Sequence, residues 1–69
     1  MPVPAHREAF GECLRLLRAA HGWSQEELAH ASGLDRSYVG GVECGQRNVS
    51  LDNIHKLADA LGVAVRDLF

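Results

Sequence analysis

Arg36, Ser37 and Tyr38 stand together in the chain, and Gln46, Arg47, Asn48 and Ser50 follow a few residues later, all with side chains able to donate hydrogen bonds. Donors of this kind suit a partner rich in acceptors and negative charge. A guanidinium can engage O6 and N7 of guanine together, while amides, hydroxyls and the free N–H groups of helix starts hold phosphate oxygens. Ser24 and Gln25 form an earlier polar pair, and Gly40 and Gly41 lie between the two later clusters. No motif pairs a nucleophile with a base, so the chain does not read as an enzyme. The cysteines and histidines (Cys13, Cys44, His6, His21, His30, His55) show neither C-x-x-C nor H-x-x-x-H spacing, which argues against a metal site. Recognition is indicated, with no cofactor and no small-molecule ligand evident.

The 69 residues carry 7 basic and 9 acidic side chains, a formal charge of −2. That length is one domain, 1–69, whose core is marginal without a partner. Two cysteines make no disulfide framework, the N-terminus shows no signal peptide, and no apolar run approaches the roughly 18 residues of a membrane span. A cytoplasmic protein away from the membrane is the expectation. The net charge has the wrong sign for binding nucleic acid by bulk attraction, so a few well-placed cations must do it. A shallow salt dependence follows.

Positioning these donors falls to helices. Both prolines lie in the first four residues, and residues 1–4 are expected to be flexible. Beyond them, apolar residues recur at helical spacing: Phe10, Leu14 and Leu17 with Cys13, Leu16 and Ala20; then Leu28 and Ala29; Val39 and Val42; and Leu51, Ile54, Leu57, Ala58 and Leu61. Gly22, Gly33, Gly45 and Gly62 follow these patterns as stops. Ser24, Asp35 and Ser50 precede them as N-caps, with Glu27 completing a capping box on Ser24. Trp23 with Leu28, Leu34 with Val39, and Val49 with Ile54 are spaced as hydrophobic staples. The reading is all-α: helices over 5–21, 25–31, 36–44 and 51–61, and a short terminal helix over 64–69.

Two short helices joined by a glycine-containing turn, over about 24–44, have the spacing of a helix-turn-helix, whose second helix enters the DNA major groove. An ordinary αα-hairpin is the alternative. Ala29 is small where the helices cross, and Leu28, Leu34, Val39 and Val42 face inward. The opposite face of the second helix then carries Arg36, Ser37, Gly40, Gly41 and Cys44. Arg36 is the expected base reader, with Ser37, Gly40 and Gly41 also at the bases; the glycines either let the backbone approach the duplex or let this helix pack closely on a neighbour. Ser24, Gln25, Gln46, Arg47, Asn48 and Ser50 are expected at phosphates, and Tyr38 either joins them or packs on the next helix. Cys13 reads as a core-facing thiol, and Cys44 as a helix-end thiol that could sense oxidation.

The stretch "WSQEELAHASGLDRSYVGGVECGQRNVSLDNIHKLADALGV" resembles the lambda-repressor-like, XRE-type DNA-binding domain, and the likeness extends over about residues 10–69. Within that family, "LDRSYVGGVECGQRN" is most similar to the small controller proteins of restriction-modification systems. The resemblance implies a compact five-helix fold and a symmetric homodimer acting on double-stranded DNA. It also implies transcription control at a palindromic operator, often the protein's own promoter, in a bacterial cytoplasm and on the nucleoid when bound. It places Gln25 on the DNA backbone and pairs Glu43 with Arg18 in a structural salt bridge. Activation would add a contact with RNA polymerase.

A single reading helix covers one half-site, so two-fold symmetry is needed for specificity. Val63, Val65, Leu68 and Phe69, with the outer face of the fourth helix, are assigned to the dimer interface; the alternative is that Leu68 and Phe69 finish the monomer core. An antitoxin-like protein-interaction module is the competing function. It ranks second because the sequence leaves no stretch over for a toxin.

Overall fold

The computed structural model describes Pro2–Phe69; Met1, the first of the four residues expected to be flexible, lies outside the described residues. Four α-helices follow in order, α1 (Ala5–His21), α2 (Gln25–Ser32), α3 (Arg36–Glu43) and α4 (Leu51–Leu61), and a 3-10 turn spans Val65–Leu68. No strand occurs among the described residues.

The helix starts follow from side-chain chemistry. Ser24 accepts the Glu27 N–H at 3.1 Å while Glu27 accepts the Ser24 N–H at 2.9 Å, so two otherwise orphaned donors are satisfied reciprocally. Asp35 caps α3 through the Ser37 N–H at 3.1 Å, and Ser50 caps α4 through the Asn53 N–H at 3.1 Å. Gly33 closes α2 at φ 73°, a left-handed conformation in which a Cβ would be strained. That turn allows α3 to follow α2 after only two further residues.

Leu14, Leu28, Val39, Val42, Leu57 and Leu68 are the fully buried side chains, with Phe10, Ala29, Ala58 and Leu61 completing the core. Trp23, Leu34, Val49 and Ile54 pack on it from the positions just before or just inside the helices. Of the two apolar series on α1, only one faces inward. Leu16 is 53% exposed, Ala20 is exposed and Cys13 is half-buried, because the buried stripe runs through Phe10, Leu14 and Leu17.

Gly11, which no local pattern marks, seats α3 against α1. A Cβ there would run into the backbone carbonyl oxygens of Val42 and Glu43. The two helices therefore meet backbone to side-chainless backbone, and this fixes the height at which α3 stands.

The last segment departs from the expected terminal α-helix. Its backbone bonds run from Asp67 N–H to the Ala64 carbonyl at 2.9 Å and from Phe69 N–H to the Arg66 carbonyl at 3.2 Å, the tighter i to i+3 pattern. Asp67 also accepts the Ala64 N–H at 3.1 Å. This tight turn puts Leu68 into the core, fully buried, and corrects its assignment to the dimer interface. Val63 and Val65 are likewise half-buried against the core.

Candidate nucleic-acid interface

The recognition helix is held from beneath by one carboxylate. Glu43 lies at the end of α3 with its side chain only 3% exposed. It accepts from Arg18 Nε at 2.6 Å, from a terminal nitrogen of the same guanidinium at 3.0 Å, and from Gln25 Nε2 at 3.0 Å. Arg18 also donates to the Trp23 carbonyl at 2.8 Å. A single buried charge thus ties α1, the α1–α2 turn, the start of α2 and the end of α3 together. These hydrogen bonds to Glu43 raise the pKa of Arg18 above its ordinary value, keeping the guanidinium charged.

With Val39 and Val42 turned inward, the opposite side of α3 meets neighbours on both flanks. Gln25, from the start of α2, lies over Gly40: a Cβ on Gly40 would stand 3.3 Å from Gln25 Oε1. Arg47, from the α3–α4 loop, lies over Gly41, where a Cβ would come within 2.6 Å of its Cγ. Tyr38 donates its hydroxyl to the Asn48 carbonyl at 3.2 Å and accepts from Asn53 Nδ2 at 3.1 Å. The start of α2 therefore borders α3 on one side, and the α3–α4 loop with the start of α4 borders it on the other. Two helix N-termini, each a source of free N–H groups and partial positive charge, flank the helix that carries Arg36.

Several side chains expected at DNA are engaged within the chain. The Gln25 amide donates to Glu43, since a buried carboxylate needs every donor in reach. The Ser37 hydroxyl is bonded to Asp35, which leaves it lone pairs and no proton to offer. Tyr38 spends its proton on the loop, so of its two expected roles the structure displays the packing one. Gly40 and Gly41 are half-buried under Gln25 and Arg47, so their flat backbone is not open to a groove floor in the free protein.

The long donors that remain are the guanidiniums. Arg36 is exposed in the first turn of α3 and belongs to neither ion pair found among the described residues, Arg15–Glu12 and Arg18–Glu43. Arg47 is exposed, with its Cζ 5.7 Å from the Tyr38 ring centroid, within reach of a cation–π contact. The Ser37 hydroxyl first, then its N–H, and more weakly the charge of Arg47 hold the Asp35 carboxyl below its usual range. Gln46, Asn48, Ser24 and Ser50 are exposed along the rim.

Sequence reasoning missed Leu51. Named there only among the residues that mark the fourth helix, it is 68% exposed, and Phe69 is 73% exposed. Leu51 precedes Ile54 by three residues and so shares its helix face. Ile54, Phe10 and Phe69 line a cavity of about 310 Å³ at the chain's end, where the two phenylalanine rings lie 5.2 Å apart. No helix among the described residues is long and apolar enough to cross a membrane, and no cluster of potential metal ligands occurs among them.

Comparison with known proteins places this geometry. The helix-turn-helix family model matches residues 14–68. The chain is similar to a hypothetical transcription factor of Neisseria meningitidis serogroup B, 56% identical over 55 residues, which is 80% of this chain and 52% of that protein. It thus spans about half the length of that relative. It is also similar to the control protein C.BamHI of Bacillus amyloliquefaciens, 48% identical over 63 residues, covering 90% of this chain and 78% of the other. Among solved structures, the restriction-modification controller protein C.AhdI from Aeromonas hydrophila superposes with a TM-score of 0.94 at 65% identity, covering 96% of this chain and all of that one.

Proposed function

The chain belongs to the helix-turn-helix family, in its XRE-type branch, with restriction-modification controller proteins among its close homologues, and from that premise we propose that it works as a homodimeric controller on a palindromic operator. DNA binding in the service of transcription regulation comes with the family. The dimer, the palindrome, control of its own promoter and any contact with RNA polymerase belong to the proposal.

The exposure of Arg36 carries this reading. It is an exposed guanidinium, outside both ion pairs of the described residues, in the first turn of a helix whose other face is anchored by Val39 and Val42, and which stands between two helix N-termini. In this motif, that turn reaches base edges while the flanking N-termini receive phosphates. Arg47, Gln46 and Asn48 then contact the backbone on the loop side, with Ser24, Ser50 and the remaining amide proton of Gln25 at the helix starts. Selection of bound duplexes from a random pool, followed by footprinting, tests the proposal. A two-fold symmetric consensus with half-sites about 34 Å apart is expected, whereas an asymmetric or absent consensus would overturn it.

The proposed dimer uses Leu51, Ile54 and Phe69 in place of Leu68. Burying one large apolar side chain contributes about 1.5–3 kcal/mol, and two-fold symmetry counts each residue twice. Phe69→Ser is therefore expected to weaken self-association by at least about a hundredfold while hardly lowering the melting temperature of the monomer. Sedimentation equilibrium reads both species. A wild-type protein that stays monomeric at high micromolar concentration would remove the dimer from the proposal.

Arg47→Ala should weaken binding to all sequences alike and lower the slope of log K against log salt by about one per half-site. With so few free cations, the wild-type slope should itself fall well short of the roughly ten seen for strongly basic repressors. Loss of preference at one base pair, with an unchanged slope, would instead make Arg47 a base reader.

A further inference from the structure

We propose that Gly41 is a positioning residue for Arg47: the missing side chain forms a bed on α3 along which the arginine lies, directed towards the leading end of the recognition helix. The inference rests on the DNA-binding reading for its consequence, though not for its geometry.

Two contacts and a charge effect trace the path of the side chain. A Cβ on Gly41 would stand 2.6 Å from Arg47 Cγ, 3.6 Å from its Nε and 3.7 Å from its Cβ. One turn back on the same face, the guanidinium carbon lies 5.7 Å from the Tyr38 ring centroid. One turn further back is Asp35, which feels the arginine's charge. Residues 41 and 38 are three apart on one helix face, with Asp35 at the cap beyond them, so Arg47 runs back along α3 towards its N-terminus.

The loop beneath has little room to adjust. The Gln46 N–H donates to the Gly41 carbonyl at 2.8 Å, and the Asn48 carbonyl accepts the Tyr38 hydroxyl at 3.2 Å. These bonds bracket Arg47 and fix its Cα and Cβ. A methyl on residue 41 would tolerate Arg47 Cβ at ordinary contact distance but not Cγ, which lies near the root of the side chain. Relief then requires a different χ1 well. That rotation lifts the guanidinium off Tyr38 and carries it away from the helix. The size of residue 41 thus selects the direction of Arg47 without itself touching the ligand.

Two arms test this. In the free protein, nuclear Overhauser contacts from Arg47 Hγ to Gly41 Hα, and from Arg47 Hδ and Hε to the Tyr38 ring, are expected in the wild type. In Gly41→Ala, the Arg47–Tyr38 contacts should disappear and the χ1-dependent couplings of Arg47 should change, while helix α3 persists because alanine is the better helix former. Retention of the Arg47–Tyr38 contacts in the variant overturns the proposal, whatever the protein binds. The second arm uses a duplex selected by the wild-type protein. Arg47→Ala is expected to lose about tenfold in affinity per half-site, Gly41→Ala most of that loss, and the double variant no more than about twofold beyond Arg47→Ala alone. If Gly41→Ala costs as much in the Arg47→Ala background as in the wild type, residue 41 acts on the duplex directly and the proposal fails.

Discussion

Arg18→Met is expected to remove a large share of the stability of the protein. The substitution leaves the Glu43 carboxylate 3% exposed, with Gln25 Nε2 as its remaining side-chain donor, and it also removes the donor to the Trp23 carbonyl. Breaking a buried pair from one side costs about 3–5 kcal/mol, because the surviving charge has lost its compensation. A domain of 69 residues holds roughly 3–10 kcal/mol in all, so a loss of this size takes a third or more of the total. Thermal unfolding followed by circular dichroism would show it, with a fall in melting temperature of more than about 12 °C at 4–8 °C per kcal/mol. Arg18→Met combined with Glu43→Met should recover much of the loss, since an apolar pair of similar volume often replaces a buried ion pair without cost. A single-variant loss below about 1 kcal/mol would mean that the pair behaves as an exposed one, and its role in holding α3 would be refuted. Operator binding by the single variant should fall with the folded fraction.

The contrast between Glu43 and its neighbours shows which features can be read along the chain. Ser24, Asp35 and Ser50 cap helices through N–H groups two or three residues away, and Gly33 closes α2 through its own backbone angle. Such features depend on residues close in sequence, and all of them were legible there. The buried series Leu28, Val39, Val42, Leu57 was legible for the same reason, since a period of 3.6 survives in the sequence. What Gly11 and Gly41 do depends on atoms far along the chain or across a loop, namely the Val42 and Glu43 carbonyls and Arg47 Cγ. No spacing rule reports those contacts.

The engaged donors follow the same division. Gln25 and Ser37 looked free because an isolated sequence displays every polar side chain as available, while Tyr38 was left open between a phosphate and the next helix. Gln25 is bonded to Glu43 eighteen positions away and Tyr38 to Asn53 fifteen positions away. Even the engagement of Ser37, two residues from Asp35, was not foreseen, since a capping carboxylate can take both the N–H and the hydroxyl of the same residue. At the C-terminus, four apolar residues were treated alike. A one-turn 3-10 segment sent Leu68 inward and left Phe69 outside, a choice that amino-acid type does not encode.

Arg36→Ala is the substitution expected to cost most in recognition while leaving the fold intact. The side chain is exposed and stands outside both ion pairs of the described residues, so truncation removes no internal interaction of the pairs that hold α3. A bidentate arginine–guanine contact discriminates by about 1–3 kcal/mol. Two half-sites double that figure, giving a loss of roughly 30- to 20,000-fold for the symmetric operator. The pattern matters more than the size. Selection with the variant should relax preference at one base pair in each half-site, at symmetric positions, and leave the others as they were. The affinity for unrelated duplexes should fall only by the share owed to one lost positive charge, so the ratio of specific to non-specific binding collapses. Arg36→Lys separates charge from geometry: the ammonium retains the cation and gives up the planar fork, so it should restore the salt slope without restoring full base preference. Equal losses on all sequences for both variants would place Arg36 on a phosphate, and α3 would then require another reader along its exposed face.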